Sequence, residues 1–180
     1  MTVITTPYDQ VMQEHVDMEG QRDKIFREVL NYHRHKINIL QIGAIETLDN
    51  VLFKIGSGWS DITFGKHIKE YGGSLTVCDI SLDHLANSKI MSDFIGYDCK
   101  LNYGDGIQYI EDRYDIYYLD GSNDPLETEA QFNKVIGFGK KDIHILVDDF
   151  IIKGATLDLE KYPFTVYNIE KGLGVLHYGE

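Results

Sequence analysis

Four short apolar runs in this 180-residue chain end on carboxylates. Asp79 closes Leu75-Thr76-Val77-Cys78, and Asp120 closes Ile116-Tyr117-Tyr118-Leu119. Asp105 lies in Gly104-Asp105-Gly106 just after Cys99–Tyr103, and Asp148-Asp149 close Ile143-His144-Ile145-Leu146-Val147. A fifth run, Ile37–Ile42, ends at Gly43-Ala44. Aspartate favours turns and helix N-caps for its own reasons. Any one of these acids therefore has a structural explanation, but four at equivalent points invite a chemical one. A carboxylate at the end of a second strand, beyond a glycine turn, can accept both hydroxyls of a ribose; that residue is Asp79. The small Gly43-Ala44 turn lets a ligand approach the backbone closely. Asp105 can accept a hydrogen bond from an exocyclic amine. Asp120, Asp148 and Asp149 can converge on a hard cation, which takes oxygen ligands.

These residues need a frame. The runs ending at Gly43, Asp79, Tyr103, Asp120 and Asp148 are short and apolar, as buried strands are. Helical patterns separate them: Trp59 to Tyr71, stopped by Gly72-Gly73; Ser81, as a cap, to about Ile95; a short helix over Asp105 to Glu111; and Pro125 to about Ile136. Residues 1–36 read as mostly helix, with Thr6 as a cap, Pro7 at the first position and Gly20 as a dividing point. The tail reads as a β-hairpin, Phe164–Ile169 and Leu173–Tyr178 joined by Glu170-Lys171-Gly172. Strand–helix alternation implies a mostly parallel, doubly wound α/β sheet of Rossmann-like type, and the hairpin implies an antiparallel edge. The predicted organisation is an N-terminal helical segment, 1–36, followed by one domain, 37–180. In such sheets ligands bind outside the carboxyl ends of the strands, near the switch in strand order.

Composition removes several functions. Lys plus Arg number 17 against 29 Asp plus Glu, a net charge of −12 with neutral histidines. Bulk nucleic-acid binding needs clustered basic residues, and the one cluster, His33-Arg34-His35-Lys36, reads as a helix C-terminus. No apolar run is long enough for a membrane span. The first 20 residues carry acids and no apolar core of a leader, so a cytoplasmic protein with reduced Cys78 and Cys99 is expected. No phosphate-binding GxxxxGK[ST] loop occurs, which argues against an NTPase. No HxxxH or HExxH spacing suggests zinc, and His144, between two isoleucines, reads as a packed residue. Cys78 reads as a small buried hydrophobe, and Trp59 as core or pocket lining. Asp148 and Asp149 also have a plain reading, as solvated acids or a cap.

The order of elements and the closing hairpin, with Gly43-Ala44 and Gly58-Trp59-Ser60, resemble the class I S-adenosylmethionine-dependent methyltransferases from about Ile37 to the end. The resemblance runs closest to small metal-dependent O-methyltransferases of the catechol and caffeoyl-CoA type, whose GA..GYS motif is split here by roughly Ile45 to Ser57. It implies that Gly43, Ala44 and Ser60 hold the methionine end of the cofactor and that Asp79 holds the ribose. Ile80, Asp105 and Gly106 would flank and read the adenine, and Asp120 would serve both cofactor and catalysis. It also implies Mg²⁺ on Asp120, Asp148 and Asp149, the first two 28 residues apart as in that family. The second residue of the pair is Asp where the family has Asn. The family's general-base lysine, three residues after the first Asp, is here Asn123, whose amide takes no proton at neutral pH. Lys153 is the substitute suggested by its nearness to Asp149. A metal-bound acceptor oxygen needs little help from a base.

The expected activity is methyl transfer to an oxygen of a small molecule. A Rossmann-like binding or regulatory protein without catalysis is the rival reading, and aminopropyl transfer is a third. No N-P-P-Y motif follows the fourth strand, which argues against methylation of nucleic-acid bases. Leu48, Val51, Leu52 and Ile55 are expected to form a short helix beside the methionine end, acting as acceptor pocket or lid, with Gly56-Ser57-Gly58 as hinge. A homodimer contact is the alternative.

Overall fold

The computed structural model describes residues 21–48, 59–169 and 171–179. The expected caps at Thr6 and Pro7, the division at Gly20, and the apolar set Val51, Leu52 and Ile55 with its Gly56-Ser57-Gly58 hinge lie outside the described residues.

The described residues open with helix α1 (21–32). Strands and helices then alternate: β1 (Ile37–Ile42), α2 (Trp59–Tyr71), β2 (Gly73–Asp79), α3 (Leu82–Ile95), β3 (Cys99–Tyr103), β4 (Ile116–Leu119), α4 (Pro125–Gly137) and β5 (Ile143–Asp148). A single 3-10 turn, Gly106–Tyr109, precedes β4, and a one-turn helix α5 (Phe150–Lys153) follows β5. The hairpin β6 (Thr165–Tyr167) and β7 (Leu173–Tyr178) closes the fold. The sheet order is β3-β2-β1-β4-β5-β7-β6. β1 to β5 run parallel, and β7 is antiparallel to both its neighbours. The doubly wound α/β architecture with an antiparallel hairpin is therefore as expected. The order reverses between β1 and β4.

Alternation along the strands sorts side chains to two cores. Ile37, Ile39, Leu75, Val77, Ile116, Tyr118 and Leu146 face α1, α2 and α3, meeting Phe26, Leu30, Phe64, Ile68 and Leu85. Leu40, Ile42, Cys78, Tyr117, Leu119, Ile145 and Val147 face the other way, onto Phe132, Val135 and Phe150. Helices on both faces leave β4 and β5 buried along their whole length, which is why both read as unbroken apolar runs.

Local chemistry sets the element ends. The Ser81 hydroxyl accepts the His84 N–H at the start of α3, and Gly96 ends that helix in the left-handed region. Asp124 caps α4, with Pro125 at its first position. Three expectations are corrected in detail. β2 begins at Gly73, not Leu75, because Gly73 passes so close to Ile37 that a Cβ would lie 1.7 Å from the Ile37 carbonyl oxygen. The short helix expected over Asp105 to Glu111 is confined to a 3-10 turn, Gly106–Tyr109. β6 keeps only three residues as an edge strand. The chain turns directly after β5 into the helix Phe150–Lys153. Among the described residues no helix is long and apolar enough to cross a membrane.

At the amino end of β5 a cluster of aromatic rings ties α1 to the sheet. His33 Nε2 and His144 Nδ1 lie 2.9 Å apart. His144 stacks on His177, with ring centres 4.5 Å apart. Asp142 Oδ1 accepts from Tyr32 Oη at 2.9 Å and pairs with His177 Nε2 at 3.1 Å. Burial, then the neighbouring His33 and His177, pushes His144 down to about 3, and burial also lowers His33. An unfolded chain binds a proton at such a histidine near pH 6.5. Protons therefore favour the unfolded chain as pH falls through 6.5, and stability present at neutral pH is lost toward pH 3. Unfolding free energy should drop by about 1–2 kcal/mol between pH 7 and pH 5 from this site. His144→Gln should flatten that part of the profile in denaturant titrations at the two pH values. An equal slope in wild type and variant would remove the cluster as its cause.

Candidate functional site

The carboxyl ends of the parallel strands surround a cavity of about 570 Å³. Gly43 and Ala44 come from β1, Asp79 and Ile80 from β2, Asp105 and Gly106 from β3, Asp120 from β4, and Asp149 and Lys153 from the turn after β5. These nine residues, all singled out in the sequence, thus line one space at the switch point. Ser60 and Asp148 do not: both are buried, at 6% and 5% exposure, and neither is part of the described lining.

The loop after β1 is fixed by close backbone approach. Gly43 has φ +102, and a Cβ there would sit 2.4 Å from the Asp120 carbonyl oxygen. Only glycine meets both demands. Its N–H donates to the Cys78 carbonyl, and the Asp120 N–H donates to the Ile42 carbonyl. Asp79 then organises two strand ends at once: Oδ2 accepts the Ala44 N–H at 2.8 Å, and Oδ1 accepts the Ser81 N–H at 2.7 Å. His84 Nδ1 lies 3.4 Å from Oδ2. Each carboxylate oxygen has two lone pairs, so Asp79 retains acceptor capacity toward the cavity. Asp105 Oδ1 accepts the Ile107 N–H and caps the 3-10 turn.

Beneath this loop lies a pair that sequence reasoning missed. Gln41 donates to the Gly43 carbonyl and to Asp61 Oδ1 from the first turn of α2. Asp61 is fully buried, and burial pushes its carboxyl up to about 6 against hydrogen bonding from Ser88 and Gln41. In the sequence Asp61 looks like any acid at a helix start, and nothing marks Gln41 as its partner.

The three acids expected to share a cation are each matched to a basic side chain instead. Asp148 Oδ1 is 3.0 Å from Arg22 Nη2, with both side chains nearly buried. Asp148 Oδ2 accepts the Tyr118 hydroxyl at 3.0 Å, and that hydroxyl also lies 3.3 Å from Asp120 Oδ2. Asp120 Oδ1 pairs with Lys153 Nζ at 2.8 Å. Asp149 Oδ2 pairs with Lys171 Nζ at 3.2 Å. Among the described residues no group of three His, Cys, Asp or Glu side chains is placed to hold a metal ion. The expected Asp120–Asp148–Asp149 convergence is corrected accordingly: Asp148 turns inward to Arg22, Asp149 borders the cavity but pairs with Lys171 of the hairpin loop, and Asp120 borders it beside Lys153. Burial, and then Asp148, raises the proton affinity of Asp120, while Lys153 and Arg22 oppose the rise.

A strained turn puts Lys153 there. Asp149 takes the left-handed backbone, φ +47, which is uncommon for a residue with a side chain. The chain reverses into α5, whose first N–H groups donate to the Gly172 and Lys171 carbonyls of the hairpin loop. Phe150 fills the space that a Cβ on Gly174 would occupy, 2.0 Å from its ring. α5 is thus fastened to β7, and Lys153, 1% exposed, is carried back over the strand ends to Asp120. Arg22 and His84 were not anticipated; Arg22 comes from a helix remote in sequence from Asp148, and His84 lies one turn into the helix that follows Asp79.

No family model matches the sequence, and no curated protein is significantly similar to it. Solved structures do match in fold. A methyltransferase of Podospora anserina bound to S-adenosylhomocysteine superposes with a TM-score of 0.64 at 13% identity, covering 100% of this chain and 100% of that one. Cofactor-bound Rv0187 from MTB gives a TM-score of 0.66 at 13% identity, covering 100% and 94%. The N-methyltransferase NodS of Bradyrhizobium japonicum WM9, in complex with S-adenosyl-L-homocysteine, gives 0.62 at 10% identity, covering 95% and 98%. With the strand order β3-β2-β1-β4-β5-β7-β6, this likeness establishes that the chain has the class I S-adenosylmethionine-dependent methyltransferase fold.

Proposed function

We propose that this protein is an S-adenosylmethionine-dependent methyltransferase that acts on an oxygen of a small molecule. The observation that carries the reading is the meeting of Gly43, Asp79, Asp105 and Asp120 around one cavity at the switch point of this fold. Asp79 would accept the ribose hydroxyls. Ile80, 75% exposed beside the cavity, would cover one face of the adenine, with Asp105 and Gly106 at its edge. The methionine end would lie on the Gly43–Ala44 turn, where the missing side chain leaves room. Bound S-adenosylmethionine supplies a methyl group on a sulfonium, which is transferred by in-line displacement.

The protein's contribution is alignment and exclusion of water. The acceptor oxygen attacks the methyl carbon, the carbon–sulfur bond breaks, and its electron pair stays on sulfur. The acceptor proton passes to Asp120 Oδ2, the oxygen that Lys153 does not hold. The raised proton affinity of Asp120 suits it to that role. The acidic lining and the net charge of −12 fit a small acceptor better than a nucleic acid.

Titration calorimetry with S-adenosylhomocysteine tests the reading. Wild type should bind it more tightly than the millimolar range, and failure to do so overturns the methyltransferase assignment. Asp79→Ala removes two hydrogen bonds to a charged acceptor, together worth about 2–4 kcal/mol, so affinity should fall roughly 30- to 1,000-fold. Gly43→Ala should cost stability as well as binding, because its Cβ has no room beside Asp120; a lower melting temperature together with lost affinity is the expected pair of results. Cofactor binding without methyl transfer to any oxygen acceptor would favour the non-catalytic reading, for which Asn123 in the place of a lysine is the specific observation.

A further inference from the structure

We infer that the ammonium group of Lys153, paired with Asp120 at the head of the cavity, is the fixed positive charge of the methyl-transfer site. The inference rests on the methyltransferase reading and deepens it by naming the residue that meets the acceptor.

The argument begins with matching of charges. Asp120, Asp148 and Asp149 stand at the ends of β4 and β5, and each faces a different base: Lys153 at 2.8 Å, Arg22 at 3.0 Å and Lys171 at 3.2 Å. A divalent ion needs several oxygen ligands converging at once. To assemble them here, at least two of these ion pairs would have to open, one of them nearly buried. Breaking a buried pair exposes an uncompensated charge and is strongly unfavourable.

The three bases differ in where they stand. Arg22 meets Asp148 away from the described cavity lining, and Lys171 meets Asp149 on the hairpin side. Lys153 alone among them belongs to the lining, with Asp120 and Asn123. Its side chain is 2% exposed and its position is set by α5, which is fastened to β7 by two backbone hydrogen bonds and the Phe150–Gly174 contact. A flexible lysine on the surface would lose much conformational freedom on meeting a ligand; this one has already been ordered by the fold. An ammonium group so held can donate to an acceptor oxygen and favour its deprotonated form, the proton passing to Asp120 before the oxygen attacks the methyl carbon. It does so without a metal, which is consistent with carboxylates that are satisfied within the protein.

The test uses the whole chain and three probes: S-adenosylhomocysteine, its analogue sinefungin, and Mn²⁺ alone. Sinefungin carries a primary amine where the cofactor carries its methyl group, so it reads the charge at that point. Lys153 should repel it. Lys153→Met should therefore raise sinefungin affinity relative to S-adenosylhomocysteine at least tenfold, while Lys153→Arg keeps the wild-type ratio. Affinity for S-adenosylhomocysteine itself should stay within about threefold in Lys153→Met. An unchanged sinefungin ratio in a folded Lys153→Met variant overturns the inference and leaves the methyltransferase reading intact; absence of S-adenosylhomocysteine binding to wild type overturns that reading instead. Mn²⁺ titrated into wild type should show no site tighter than millimolar. A tighter site that Asp120→Asn removes would show that a metal, not Lys153, supplies the charge, whatever the folding of the variants.

Discussion

The ion pair between Asp120 and Lys153 is the contact on which the site depends. Asp120 ends β4 beside the switch in strand order, and its backbone is hydrogen-bonded to β1. Its carboxylate is crowded by burial and by Asp148, both of which favour the neutral acid. Lys153 opposes this rise without cancelling it. Arg22 pairs with Asp148 one strand over. Removing either base would leave a charge in a setting that solvates it poorly, so the site's chemistry and the stability of the strand ends rest on the same contacts.

That arrangement explains several features of the surrounding fold. The left-handed Asp149 is the price of turning the chain at once into α5 rather than away into solvent. The hairpin receives α5, so β7 serves the site although it contributes no side chain to the described cavity lining. α1 is held at both ends: Arg22 reaches Asp148 at the carboxyl end of the sheet, and His33 reaches His144 at the other. A helix pinned in this way across the strands gives the buried face of β1 and β4 its cover, through Phe26 against Phe64 and Tyr118. Tyr118 then links that core to the site, since its hydroxyl spans Asp120 and Asp148.

Much of this was legible in the sequence, for identifiable reasons. Buried parallel strands announce themselves as β-branched runs, and α2, α3 and β7 have the expected bounds because Gly72-Gly73, Ser81 and Gly172 punctuate them. The place of Asp79 was readable because it follows from topology alone: the end of a second strand faces the loop after the first. The pairing of acids with bases was not readable. Arg22 and Asp148 lie far apart in the chain, and which carboxylate turns inward depends on the packing of α1, for which no local pattern exists. Gln41 and Asp61 were hidden for the same reason. Lys153 was noticed by nearness to Asp149, yet its partner is Asp120, because the strained turn carries it across to the neighbouring strand.

The two departures from the resembling family have one electrostatic reading. Asn123 lines the cavity and carries no charge, where the resemblance puts a lysine. Lys153 lines the same cavity and carries the charge from the other side, after β5 instead of after β4. The charge at this cavity therefore comes from a residue on a packed turn that the hairpin holds. Its distance to Asp120 is then set by the fold rather than by a bound ion. In such a site the ammonium and the carboxylate hold each other in place before any ligand arrives, and a ligand entering the cavity meets that pair already formed.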